Sequence, residues 1–208
     1  MVRHGETRWN QENRVLGHTE IELNEKGRKQ AERLALALKD ETVAAIYSSP
    51  LRRARETADE IARFHGLEVV TDDGLKEVDA GELDGLTFQE MMERYGDFLQ
   101  EWVKDEPSLK MPGGESIAEL QGRAWPAVER IVGDHPDGVV ILVSHAFAIL
   151  SIICKAIGLS LSHFRRLRLS VASISILNFG ERGTSLVLFN DTCHLAFFKH
   201  YEGLEINR

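Results

Sequence analysis

Hydrophobic and polar positions repeat along the chain with two periods, and segments of each kind alternate. LNEKGRKQAERLALALKD places Ala31, Leu34, Ala35 and Leu38 on one face of a helix. VAAIYS is a short apolar run, suited to a strand buried on both faces of a parallel sheet. SSPLRRARETADEIARFHG predicts the next helix. Ser49 caps it, Pro50 fits its first turn, Ala54, Ala58, Ile61 and Ala62 form its apolar stripe, and Gly66 stops it. ESIAELQGRAWPAVERIV opens with a capping box of Ser116 and Glu119, and Pro126 predicts a kink or a division further on. GVVILVS reads as a central strand, and the nearly all-apolar AFAILSIICKAIG behind it as a buried helix. SISILNF and TSLVLF flank GERG and predict a hairpin at the edge of the sheet.

Strand–helix alternation ending in a hairpin implies an α/β fold: a three-layer α/β/α sandwich with a mostly parallel sheet and an antiparallel edge hairpin. Residues 1–208 read as one domain. The stretch from Thr87 to Glu115 breaks the rhythm. Two short amphipathic pieces, FQEMMERY and FLQEWV, lead into the loop-like DEPSLKMPGGES, and the stretch reads as a helical lid insertion.

Composition removes several classes of function. With 33 acidic residues against 25 basic, the net charge of −8 argues against nucleic acid or an anionic membrane as the main partner. The longest apolar run, ILVSHAFAILSIICKAIGL, is interrupted by Ser144, His145 and Lys155, so no membrane span is expected. No charged-then-apolar signal precedes the first motif, and a cytoplasmic protein is the default expectation. Cys154 and Cys193 lie in apolar surroundings without ligand-like spacing and read as buried free thiols.

Ligands of open α/β sheets bind beyond the carboxyl ends of the strands. VRH brings Arg3 and His4 to that edge, YSSPLRRA brings Arg53, LKEVDAGE brings Glu77, and VSHAFA brings Ser144 and His145. Arginines in an R-R-A-R run usually form a solvated helix face, and Arg52 and Arg55 fit that pattern; Arg53 lies beside the apolar stripe and does not. A lone histidine after a buried strand is more often structural than catalytic. Two of them, sharing one edge with arginines and a carboxylate, point to phosphate chemistry. Arginine's planar fork grips phosphate oxygens, and phosphoryl transfer needs mainly positioning and charge stabilisation. A neutral imidazole can attack phosphorus, a second, protonated one can hold the oxygens, and a carboxylic acid can protonate the departing alkoxide. No G-x-S-x-G elbow supports a serine hydrolase, and no G-x-G-x-x-G supports a dinucleotide enzyme.

RHGETRWN, GHTEIELNEKGRKQA, SSPLRRARETA, LKEVDAGELDG, PGGES and VSHAFAI together resemble the histidine phosphatase superfamily, the phosphoglycerate mutase-like proteins, from Arg3 to about His194 in NDTCHL. The resemblance implies His4 as the phosphorylated nucleophile, with Arg3, Arg53 and His145 completing the phosphate pocket. It implies Asn10 as a further phosphate contact, Glu77 as proton donor, and Gly17 and the backbone N–H of Ala146 as pocket lining. It implies no metal and no other cofactor, and a small phosphorylated metabolite as partner. It also implies several more apolar residues before Arg3 than Met1 and Val2 supply. Cations beside Glu77 should lower its pKa, and a bound phosphate dianion should raise it.

Hydrolysis of a small phosphomonoester through a phosphohistidine is the leading function, with a cofactor-dependent phosphoglycerate mutase as the alternative. Mutases of that kind carry a larger, more basic insertion. Here the lid is short and mostly acidic, with Arg94, Lys104 and Lys110 its only basic residues. A non-enzymatic module would lack a pocket residue, and none is missing. Arg165, Arg166 and Arg168 in FRRLRLS read as a solvated basic turn more readily than as a rim for acidic substrates. The hairpin edge could pair with a second copy as a homodimer.

Overall fold

The computed structural model describes residues 1–104, 106–181 and 183–196. In chain order its elements are β1 (Val2–Arg3), α1 (Arg8–Gln11), α2 (Glu25–Leu38), β2 (Val43–Ser48), α3 (Arg52–His65) and β3 (Val69–Thr71), then α4 (Phe88–Trp102), α5 (Ile117–Asp134), β4 (Val139–Ser144), α6 (Ala146–Ala156), β5 (Ile174–Gly180), β6 (Gly183–Asp191) and α7 (Cys193–Ala196). The strands form one sheet in the order β3-β2-β4-β1-β5-β6. β3, β2, β4 and β1 run parallel, and β5 and β6 run antiparallel as the edge hairpin. β1 is short, yet it sits centrally. Val2 pairs with Val143 on one side and Ile174 on the other, and Arg3 pairs with Ser144.

Successive strand residues face opposite layers. Ile141 and Val143 of β4 join Ile46, Leu34, Ala54, Ala58 and Ile61, so α2 and α3 cover one face. Leu142 and the partly buried Val140 join Ala124, Val128, Ile131 and Ile152, so α5 and α6 cover the other. The result is a three-layer α/β/α sandwich. A third cluster joins the lid to the end of the sandwich: Leu83, Met111, Leu120 and Phe164 are buried there, with Phe98, Trp102 and Phe147 packed against them.

The lid pieces stack into one helix, α4, broken at Tyr95 (φ −133°, ψ 33°) and opened by a capping box of Thr87 and Glu90. Gly66 ends α3 in the left-handed conformation, φ 63°, which costs glycine nothing. Three expectations are corrected. α3 starts at Arg52 behind an N-cap Leu51, so Ser49 is not its cap and Pro50 lies outside its first turn; the Ser49 hydroxyl is bonded to His145 instead. α5 is not divided at Pro126. Gly122, whose carbonyl loses its helical donor there, is exposed, and Leu120, Ala124, Ala127 and Val128 pin the helix to the core on both sides of the proline. Cys154 is buried but Cys193, the first residue of α7, is exposed; both are free thiols. Among the described residues no helix is long and apolar enough to cross a membrane.

Candidate active site

β1 and β4 lie side by side and end at the same edge, which brings His4 and His145 together with ring centroids 5.1 Å apart. His4 continues the ladder: its N–H donates to the Ser144 carbonyl at 3.0 Å, and its carbonyl accepts from Ala172 at 3.0 Å. Gly5 follows because the start of α2 crosses here; a Cβ on it would lie 2.6 Å from the Gly27 carbonyl oxygen. The Gly5 carbonyl accepts from His4 Nδ1 at 2.7 Å. With the proton on Nδ1, the lone pair of His4 sits on Nε2, the atom left for a ligand. The side chain is only 2% exposed. Burial first, and then the charges of Arg53 and Arg3, hold its pKa well below the usual histidine range, so the ring is neutral.

Arg53 is wholly buried, as its place beside the α3 stripe suggested. Its Nη2 donates to the Gly17 carbonyl at 2.7 Å and its Nη1 to the Thr19 carbonyl at 3.1 Å. Burial lowers its pKa to about 10, which leaves it charged at neutral pH. Arg52 and Arg55 instead pair with Glu56 and Asp59 on the outer face. Arg3 donates through Nη1 to the Leu169 carbonyl at 2.5 Å. Gly17 meets Arg53 with its carbonyl, while its N–H donates to Asp84 Oδ1 at 2.8 Å. It therefore aims the arginine rather than presenting its own amide. A Cβ on it would lie 2.9 Å from Ala80.

His145 precedes α6, and its Nε2 meets Ser49 Oγ at 2.7 Å. The Ser49 hydroxyl also accepts from Leu51 N–H, and giving its own hydrogen to Nε2 would put the His145 ring proton on Nδ1. A protonated His145 was expected; burial and the neighbouring Arg53 and His4 instead push its pKa well below the usual value. Asn10 turns its oxygen inward, accepting from the N–H and hydroxyl of Thr7, which leaves its amide NH₂ for a ligand.

Glu77 caps α6 from a separate segment. Its Oε1 accepts from Val78 and Ala148 N–H at 2.9 and 3.1 Å, and its Oε2 accepts from Phe147 N–H at 3.2 Å. The first-turn N–H of Ala146 is taken by no hydrogen bond among the described residues. Burial, with the residue 4% exposed, pushes the pKa of Glu77 up; the N–H bonds from Val78 and Phe147, and then the charges of Arg53 and Arg3, pull it down, and the net direction is up.

Among the described residues, Arg3 Nε, Arg53 Nε and His145 Nδ1 are three polar atoms here that are buried without a partner. Buried donors almost always find an acceptor, so three left open around one imidazole mark a cradle for an anion. Sequence reasoning missed Ser49, which orients His145, and Asp84, which holds Gly17 and Thr19 and through them Arg53. Asp84 lies in GELDG, inside a stretch already singled out; the hydroxyl of Ser49 carried no distinguishing signal.

Residues 1–192 match the sequence profile of the histidine phosphatase superfamily (branch 1). The chain is 36% identical over 198 residues, 95% of its length and 94% of the relative's, to a protein of Hydrogenobacter thermophilus named phosphoserine phosphatase 1. It is 34% identical, over 87% of its length and 84% of the relative's, to a probable phosphoglycerate mutase of Cronobacter sakazakii. It superposes on a mycobacterial glucosyl-3-phosphoglycerate phosphatase solved with VO3, with TM-score 0.85 and 30% identity over 92% of this chain and 98% of that one. The chain belongs to the histidine phosphatase superfamily, branch 1, and is an enzyme of that phosphomonoester-hydrolysing family.

Proposed function

We propose that the protein hydrolyses small phosphomonoesters through a phosphohistidine on His4 Nε2, without a metal ion. The observation that carries this reading is the set of three buried, unpartnered groups, Arg3 Nε, Arg53 Nε and His145 Nδ1, around a neutral imidazole whose lone pair is unspent. Nε2 attacks phosphorus and the bond to the leaving oxygen breaks. Arg3, Arg53 and His145 hold the non-bridging oxygens, joined by the Asn10 amide and the Ala146 N–H, and supply the positive charge that a metal supplies elsewhere. Glu77, whose pKa burial raises and the incoming dianion raises further, gives its proton to the leaving alkoxide. Its carboxylate then takes a proton from the water that attacks the phosphohistidine, and phosphate leaves with both side chains restored.

Hydrolysis is favoured over mutase chemistry by the lid. Between Thr87 and Glu115 seven acidic residues face three basic ones, a field that disfavours retaining a bisphosphorylated intermediate. The names of the relatives favour substrates that carry a carboxylate or a sugar beside the phosphate. The test is a panel of phosphoserine, 3-phosphoglycerate and sugar phosphates, with and without a bisphosphoglycerate primer and with EDTA present. Free phosphate should appear in every productive case, undiminished by EDTA. Isomerised phosphoglycerate that depends on primer would overturn the assignment.

The electrostatics fix a pH dependence. A nucleophile with a depressed pKa stays unprotonated in mild acid, so the acid limb of kcat/KM is expected below pH 6.5, the usual histidine value. Arg53→Gln removes the largest charge pressing that pKa down. The limb should then move to higher pH, together with a loss of activity of about 10²–10³-fold from the missing phosphate contact. A limb that stays in place, read from kcat/KM between pH 4.5 and 8, would show that Arg53 does not act on His4.

A further inference from the structure

The segment from Asp73 to Asp79 carries Glu77 into the site, and apart from one short 3-10 turn at Asp73–Leu75 it has no regular structure to satisfy its backbone. Side chains do so instead. Arg123 of α5 donates through Nη1 to the carbonyls of Gly74 and Lys76 at 3.1 and 3.0 Å, with Asp73 further off at 3.4 Å, and through Nη2 to the carbonyl of Glu77 at 2.6 Å. Ser144 Oγ donates to the carbonyl between them, that of Leu75, at 2.7 Å. Nε and Nη2 of Arg123 also fork onto the two oxygens of Glu115, the last residue of the lid insertion. Glu115 Oε1 in turn accepts from Asp79 N–H at 2.9 Å. All five N–H donors of the guanidinium are thus engaged, on one short stretch of backbone and one carboxylate. From the pocket side His18 Nε2 meets the same Glu77 carbonyl at 2.8 Å.

We infer that Arg123, braced by Glu115, is a positioning residue that aims the Glu77 carboxyl at the leaving oxygen and ties that aim to the closing end of the lid. The inference rests on the reading of Glu77 as proton donor. Neither residue touches the phosphate cradle of Arg3, Arg53 and His145, so disturbing the clamp shifts the acid and leaves the nucleophile in place. Lysine at 123 keeps the charge but offers a point donor in place of the fork, and cannot reach several carbonyls and a carboxylate at once. A misplacement of about 1 Å in a catalytic group can cost roughly 10²-fold.

The experiment compares kcat/KM for phosphoserine, an alkyl leaving group, with that for p-nitrophenyl phosphate, whose leaving phenoxide needs no proton. Wild type, Arg123→Lys, Glu77→Gln and the double variant are measured. Arg123→Lys should lose about 10- to 100-fold on phosphoserine and less than about threefold on the aryl ester. The double variant should be no slower on phosphoserine than Glu77→Gln alone. Equal losses on both substrates, or none, would overturn the inference. A steep leaving-group dependence for Glu77→Gln beside a flat one for Arg123→Lys overturns the clamp alone; a flat profile for Glu77→Gln overturns the acid assignment and the clamp with it. Should Arg123→Lys not fold, Glu115→Gln, which keeps one oxygen for Asp79 N–H, is read by the same criteria.

Discussion

Replacing His4 by alanine is expected to reduce turnover of every phosphomonoester at least about 10⁴-fold while the protein still folds. The activity should vanish because no neighbour can take over. His145 has its Nε2 engaged by Ser49, and in the proposed reading its open Nδ1 meets the phosphate through a proton rather than a lone pair. Folding should survive for an electrostatic reason. The imidazole is buried among Arg3 and Arg53 and contributes one side-chain hydrogen bond, to its neighbour Gly5. The folded-state pKa of His4 is depressed, so between that value and the unfolded value near 6.5 the unfolded chain binds more protons. Stability from this residue is therefore lost as pH falls through 6.5. His4→Ala should accordingly lose less stability between pH 8 and pH 5 than wild type does, though His145, depressed in the same way, keeps part of the slope. The measurements are steady-state rate, acid-labile label on the protein from radioactive substrate, and melting temperature at the two pH values. Residual turnover within about a hundredfold of wild type, or label retained in the variant, would remove His4 as nucleophile.

The architecture explains why so polar a cluster can be buried. Each cation is held by backbone carbonyls rather than by a carboxylate partner: Gly17 and Thr19 for Arg53, Leu169 for Arg3. A carbonyl orients a guanidinium without neutralising it, so the pocket keeps its positive field. The acidic groups that could cancel it are spent elsewhere. Asp84 holds the N–H groups of Gly17 and Thr19, and Glu77 accepts the N–H groups of Phe147 and Ala148 in α6.

How much of this could be read from the chain follows from the same physics. The burial of Arg53 was legible because helical periodicity puts position 53 beside Ala54 and Ala58, and Arg52 and Arg55 on the outside. The convergence of His4 and His145 was legible because two apolar strands each end in a histidine and parallel strands end at one edge. Ser49 was misassigned because its local context, before Pro50, suits a helix cap equally well; only the fold shows His145 beside it. Of the two outcomes Pro126 predicts, a kink or a division, the division does not occur, because its local penalty is offset by core contacts that the sequence does not display. Arg123 and Glu115 were invisible as partners of Glu77, since they act on carbonyl and N–H groups, which leave no trace in side-chain identity.

Glu77→Gln should separate substrates by their leaving groups. On alkyl phosphates kcat/KM is expected to fall about 10²–10⁴-fold, the usual range for removing a general acid. On p-nitrophenyl phosphate the change should stay within about threefold, because the departing phenoxide is stable without a proton. If Glu77 is the acid, as proposed, Oε2 is the oxygen expected to deliver the proton. Oε1 accepts two backbone N–H bonds and Oε2 only the longer one from Phe147, so Oε2 has the lone pair left for a proton that can be passed on. Glutamine keeps Oε1 for Val78 and Ala148 and sets its NH₂ against the Phe147 N–H, an unpaired buried donor worth about 1–3 kcal/mol. That cost is offset in part because burial already disfavours the charged form of the native carboxyl, so the melting temperature should move little. The rate should therefore change without a matching change in stability. A loss of equal size on alkyl and aryl esters would mean that Glu77 supports the fold of the pocket, and that the proton reaching the alkoxide comes from elsewhere.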